Sequence, residues 1–127
     1  MSESDVIGLL TRIKIRIFID AGAFVLEMDN RQFVETWLRH DIEAQAAVFF
    51  VEHEKPWVLY RNKRDHVPLL ATPFAENLEG CLVYLDEAHT RGTDLKLPVC
   101  AKGALTLGLN QTKDHTVQGK TFFSFLS

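Results

Sequence analysis

Short apolar runs recur along this chain, each closed by acids or glycine and separated from the next by polar or helix-spaced sequence. Ile13, Ile15, Ile17 and Ile19 alternate with Lys14, Arg16 and Phe18. That period of two predicts a strand with one face buried. Asp20, Gly22 and Ala23 then suit a strand end turning into a loop. Asp29 or Asn30 can cap a helix running to about His40, with Phe33, Val34, Trp37 and Leu38 at helical spacing on one face. That spacing makes Phe33 and Trp37 core residues rather than a binding surface. Residues 46–51 and 81–85 are continuous apolar runs, as strands buried on both faces require. Strands alternating with helices predict an α/β fold of three layers around a mainly parallel sheet.

Between these runs, 57–60 and 67–70 flank a charged turn, Arg61-Asn-Lys-Arg-Asp65, which predicts a small β excursion. The Arg61–Arg64 cluster could touch phosphate or an acidic partner, but a solvated turn is the simpler and preferred account. Thr72 and Pro73 are placed as N-cap and first residue of a short helix closed by Gly80. Residues 104–109 form the next predicted strand, and Thr112 a cap for a helix barely begun.

With 127 residues, 46% of them hydrophobic, the chain holds one ordinary core and not two. Its net charge of -3 argues against a dedicated nucleic-acid-binding domain. Two cysteines, Cys81 and Cys100, are too few for a disulfide framework, and reduced thiols fit an intracellular setting, cytoplasmic or nuclear. The N-terminus lacks the pattern of a secretory signal, and no apolar run is long enough to span a membrane. The last residues, FFSFLS, read as an apolar tail with nothing after it to pack on, as expected of a piece of something longer.

The run CLVYLDEAHTRGTDLKLP, residues 81–98, carries the densest chemistry. A hydrophobic strand ending in Asp86 and Glu87 has the Walker B arrangement, where one acid holds Mg²⁺ and the other orients the attacking water. Asp86-Glu87-Ala88-His89 also spells the DEAH signature of helicases, yet two acids at a strand end are also an ordinary solvated edge. The P-loop such a site needs is missing. The only Gly-Lys-Thr, Gly119–Thr121, follows the acids and has Asp114 where the first glycine belongs.

The run Thr90-Arg91-Gly92-Thr93-Asp94-Leu95-Lys96-Leu97 resembles a segment in the second motor lobe of SecA and related superfamily-two helicase-like ATPases. With FIDAGAFVLEMDNRQFVETWL, EAQAAVFFVEHEKPWVLYR and TLGLNQTKDHTVQ, it is similar to one family of very large, mainly fungal proteins. Sequence catalogues often label that family ubiquitin thioesterase (ubiquitinyl hydrolase). The resemblance covers roughly residues 13–118, nearly the whole chain, and residues 119–127 diverge where the family places an arginine-bearing helix.

The resemblance implies a RecA-like second lobe, a single truncated domain over 1–127, with Asp86, Glu87, His89, Arg91, Gly92, Thr93, Asp94, Thr112 and Lys113 facing a nucleotide cleft. ATP and Mg²⁺ would enter only with a missing lobe, and the isolated chain would be inactive and without a cofactor. It implies equally a thiol hydrolase of ubiquitin deconjugation. Its partners would be the rest of the parent polypeptide and ubiquitin or a ubiquitinated protein. The alternative is a degenerate, ATPase-like scaffold.

A thioesterase needs a Cys/His pair with an Asp or Asn to orient the His. Cys81 or Cys100, His89 or His115, and Asp86, Asp94 or Asp114 are the available groups, with Cys100, His89 and Asp94 the foremost set. None has a recognisable local signature, and Cys81 lies in an apolar strand, where a cysteine is usually a small core residue. His53-Glu54 lacks the second His of a zinc helix, and the other histidines are scattered, so no metal site is expected.

Overall fold

A computed structural model describes residues 2–51, 55–86, 88, 103–107 and 122–126. The chain begins on a helix the periodicity above did not assign, α1 (Glu3–Arg12). Ser2 caps it reciprocally with Asp5, and Val6, Ile7 and Leu10 bury one stripe. Lys14 then takes φ 60°, donating to the Thr11 carbonyl while Ile15 donates to that of Leu10. This is the double hydrogen-bond closure of a Schellman turn. It consumes Ile13 and Ile15, so the strand expected over 13–19 is only β1 (Ile17–Asp20).

Asp29 caps α2 (Asn30–His40) with a reciprocal bond to Gln32, and the helix buries Phe33, Val34, Trp37 and Leu38 as its spacing requires. β2 (Ala46–Phe50), β3 (Pro56–Tyr60) and β4 (Val67–Pro68) follow, the last two forming the excursion. Two 3-10 turns (Leu69–Ala71 and Pro73–Ala75) replace the short helix expected there. Thr72 does not cap it, because its hydroxyl donates back to the Leu69 carbonyl at 2.7 Å. Gly80, at φ 85°, makes the turn into β5 (Cys81–Leu85). β6 (Gly103–Leu107) and β7 (Phe122–Leu126) complete the described elements.

All seven strands form one sheet in the order β4-β3-β2-β5-β1-β6-β7. The four central strands β2, β5, β1 and β6 are parallel, and β3, β4 and β7 add antiparallel edges. The apolar tail is therefore a strand: residues 122–126 pair with β6, from Leu107↔Phe122 to Gly103↔Leu126, which corrects the reading of a tail with nothing to pack on.

Alternation along the strands splits the core in two. Phe18, Ala47, Phe49, Leu82 and Tyr84 meet α1 and α2 on one face. Ile17, Val48, Phe50, Cys81, Val83 and Leu85 meet Leu69, Leu78 and Phe74 on the other. Among the described residues both α-helices lie on one face, and the 3-10 segment covers the opposite one. No helix among them is long and apolar enough to cross a membrane.

Candidate functional site

The chain leaves β1 toward β2, returns to β5, and must then pass β1 again to reach β6. The winding therefore reverses at β1, and open parallel sheets gather ligand-facing loops at the carboxyl ends of strands around such a reversal. Register puts three polar residues there. Ile19 pairs with Leu85 and Asp20 with Thr106, so Asp20, Asp86 and Thr106 lie side by side at the carboxyl ends of three neighbouring strands.

Asp20 is almost fully buried, and its oxygens are all engaged. Oδ1 accepts the Phe24 N–H at 2.8 Å and the Thr106 hydroxyl at 2.5 Å, and Oδ2 accepts the Val25 N–H at 2.8 Å. Thr106 Oγ1 accepts in turn from the Gly22 N–H at 2.9 Å. Glu3, in the first turn of α1, reaches the same loop: its Oε1 accepts the Leu26 and Glu27 N–H groups at 2.5 and 2.9 Å. Four consecutive amides, 24 to 27, thus point at two buried carboxylates. The other Glu3 oxygen, Oε2, is buried without a hydrogen-bond partner among the described residues.

Beneath this edge lies an aromatic floor. Tyr84 stacks on Phe33 at 4.5 Å and on Phe18 at 5.9 Å between ring centroids. Burial pushes the Tyr84 phenol far above its ordinary range, and the carboxylates of Asp20, Asp86 and Glu3 push the same way. The phenol keeps its proton at any physiological pH. Asp20 already accepts three hydrogen bonds, so it anchors the loop rather than serving as a base.

Of the residues nominated from sequence, Asp86 stands at this edge, half-buried at the end of β5. Strand 81–85 lies inside the sheet, and the strand expected at 104–109 is β6, on the other side of β1. Glu87, His89, Arg91, Gly92, Thr93, Asp94, Cys100, Thr112 and Lys113 lie outside the described residues. Asp20 and Glu3 were not anticipated: Asp20 read as a strand end, and nothing local marks Glu3.

Cys81 faces the core under the 3-10 segment. Burial pushes its thiol up to about 12, with the Arg16 charge pulling slightly the other way. Buried in the core with its thiol held protonated, Cys81 has the surroundings of a small packing residue rather than of an activated nucleophile. We expect native protein to resist iodoacetamide at pH 8 and to be alkylated at Cys81 only on unfolding. Fast native alkylation of Cys81 would contradict its burial.

The pH dependence has a definite sign. The unfolded thiol ionises near 9.0 and the folded one near 12, so above pH 9 the folded state holds a proton that the unfolded state releases. Stability should fall between pH 9 and 10 by about 1 kcal/mol per pH unit, and Cys81→Ala should flatten that slope.

Among the described residues no three His, Cys, Asp or Glu side chains converge to hold a metal ion. No family model, curated protein or solved structure matches the chain in comparison.

Proposed function

We propose that the chain is a RecA-like lobe of the second-lobe type. It lends the Asp86 edge of its sheet to a nucleotide-dependent cleft and leaves phosphate binding to another lobe of the same protein. The observation carrying this reading is the fate of amides 24 to 27. In a first strand-to-helix turn that cradles phosphate, the backbone N–H groups face the anion. Here Asp20 and Glu3 occupy that role, so an incoming phosphate would meet carboxylates and find its donors taken. The absence of a G-x-x-x-x-G-K-[ST] run at this turn agrees.

Mg²⁺ takes one or two carboxylates together with phosphate oxygens and water. Asp86, half-buried just past the carboxyl end of β5, is the described residue placed for this role. When bound, the ion would neutralise phosphate charge. Asp86 itself would orient the ion's water shell, and the neutral Tyr84 below adds no further charge.

The likeness of residues 13–118 to the large family catalogued as ubiquitin thioesterases supports a proposal for the whole protein, namely hydrolysis in ubiquitin deconjugation by a thiol other than Cys81. A ubiquitin-based electrophilic probe should leave Cys81 unlabelled.

Two measurements test the lobe. The purified chain should not hydrolyse ATP, with or without Mg²⁺, because the charge-stabilising parts of a phosphoryl-transfer site are not all here. ATP with Mg²⁺ should still shift amide resonances at 84–86 in a weak, Mg²⁺-dependent way that Asp86→Asn abolishes. Turnover abolished by Glu87→Gln would mean a complete site, and unmoved edge resonances at millimolar ATP would remove the cleft. Either result ends the proposal.

A further inference from the structure

At the opposite end of the sheet, a second cleft has chemistry the proposed lobe does not use. Tyr60, the last residue of β3, pairs with Ala46, the first of β2, so the turn after β3 lies at the amino edge of the parallel strands. That turn is tight: the Lys63 N–H donates to the Tyr60 carbonyl at 3.2 Å, and Asn62 holds φ 65°, a conformation asparagine tolerates better than most residues. Together with the last turns of α2, it encloses a cavity of about 350 Å³. Leu38 and Leu59, both buried, line it along with Arg39, Lys63, Arg64 and the one carboxylate, Glu35.

The charges are unevenly used. Arg61, also on the wall, gives its guanidinium to the backbone carbonyls of Leu38, Asp41 and Ala44. Arg39 pairs with Glu35 at 3.0 Å, both side chains well exposed, so the pairing is easily exchanged. Lys63 and Arg64 are exposed and pair with no carboxylate among the described residues. Three exchangeable or unpaired cations thus surround an apolar floor, on a chain whose net charge is negative.

We propose that this cleft binds a small phosphate monoester carried on an apolar or planar body. A phosphate dianion matches three cations on the rim of one cleft better than a single carboxylate does, and arginine forks fit its oxygens in pairs. The volume lies near the lower end for small-molecule sites, so the occupant is compact. A long polyanion would cross the acidic remainder of the surface.

Phenyl phosphate, without Mg²⁺, is the probe, followed by amide resonances and calorimetry. It should give saturable shifts at Leu38, Leu59 and Asn62. Inorganic phosphate should bind the same residues more weakly, and phenol should not bind. The double variant Lys63→Gln/Arg64→Gln, both at exposed positions, should weaken binding by on the order of tenfold or more. Glu35→Gln should tighten it by removing the rival carboxylate, and Asp86→Asn should leave it unchanged. Raised ionic strength should weaken it. Equal shifts from phenol, an unchanged affinity in the double variant, or scattered shifts without saturation would each overturn the proposal.

Discussion

Asp20→Ala should lower the stability of the chain by about 3–5 kcal/mol, among the largest losses available to a single polar residue here. The deletion orphans three donors at once: the N–H groups of Phe24 and Val25 and the hydroxyl of Thr106. Each donor left buried and unpaired costs about 1–3 kcal/mol. It also removes volume from an almost fully buried position, which close packing penalises. Asp20→Asn should cost less, yet more than a neutral change, because its amide turns one donor toward the Val25 N–H. Urea unfolding with hydrogen exchange checks both: amides 22 to 25 should lose protection first, before the strands. A loss below about 1 kcal/mol for Asp20→Ala would show that water replaces the carboxylate, and the account of the loop as internally anchored would fail.

How far the sequence reveals this arrangement depends on the range of the interaction involved. The strands 46–50 and 81–85 are legible because fully apolar runs of that length have few alternatives, and α2 is legible from its cap and its buried stripe. Helix α1 carries the same signals, Ser2 with Asp5 and then Val6, Ile7 and Leu10, but its stripe runs directly into the alternating Ile13, Ile15 and Ile17, which reads as strand. Alternation at Ile13 and Ile15 was misleading, since a helix terminator and a strand both set apolar residues two apart. The tail at 122–126 reads as strand only once β6 exists to pair with it.

The site was the least legible part, for a physical reason. Asp20 holds Phe24 and Val25 locally but meets Thr106 across 86 positions, and Glu3 meets Leu26 across 23, so the part that joins these groups into one site leaves no local pattern. The acids at 86 and 87 stood out because they follow a strand directly. The two carboxylates that hold the neighbouring loop did not, although they decide what that loop can bind.

Arg61→Ala should be the other severe change, at about 3 kcal/mol or more. The end of α2 leaves carbonyls without helical partners, as every helix does. One guanidinium supplies the missing donors: Nη1 to Leu38 O at 2.6 Å, Nη2 to Asp41 O, and Nε to Ala44 O at 2.9 Å. Three charge-assisted bonds to partly buried acceptors join the helix end, the loop and β3 in a single fork. The neighbouring Arg16–Asp41 pair, at 3.2 Å, holds only the side chain of Asp41 and cannot replace those bonds. Arg61→Lys should recover less than half of the loss, because an ammonium on a flexible stem reaches one or two of the carbonyls and not all three. Denaturant midpoints give the magnitudes, and exchange rates at 38–46 give the location. If Arg61→Lys matches the original chain, the planar fork is irrelevant and a single positive charge near the helix end suffices. If Arg61→Ala unfolds β3 and β4 while α2 stays protected, the fork serves the hairpin and not the helix.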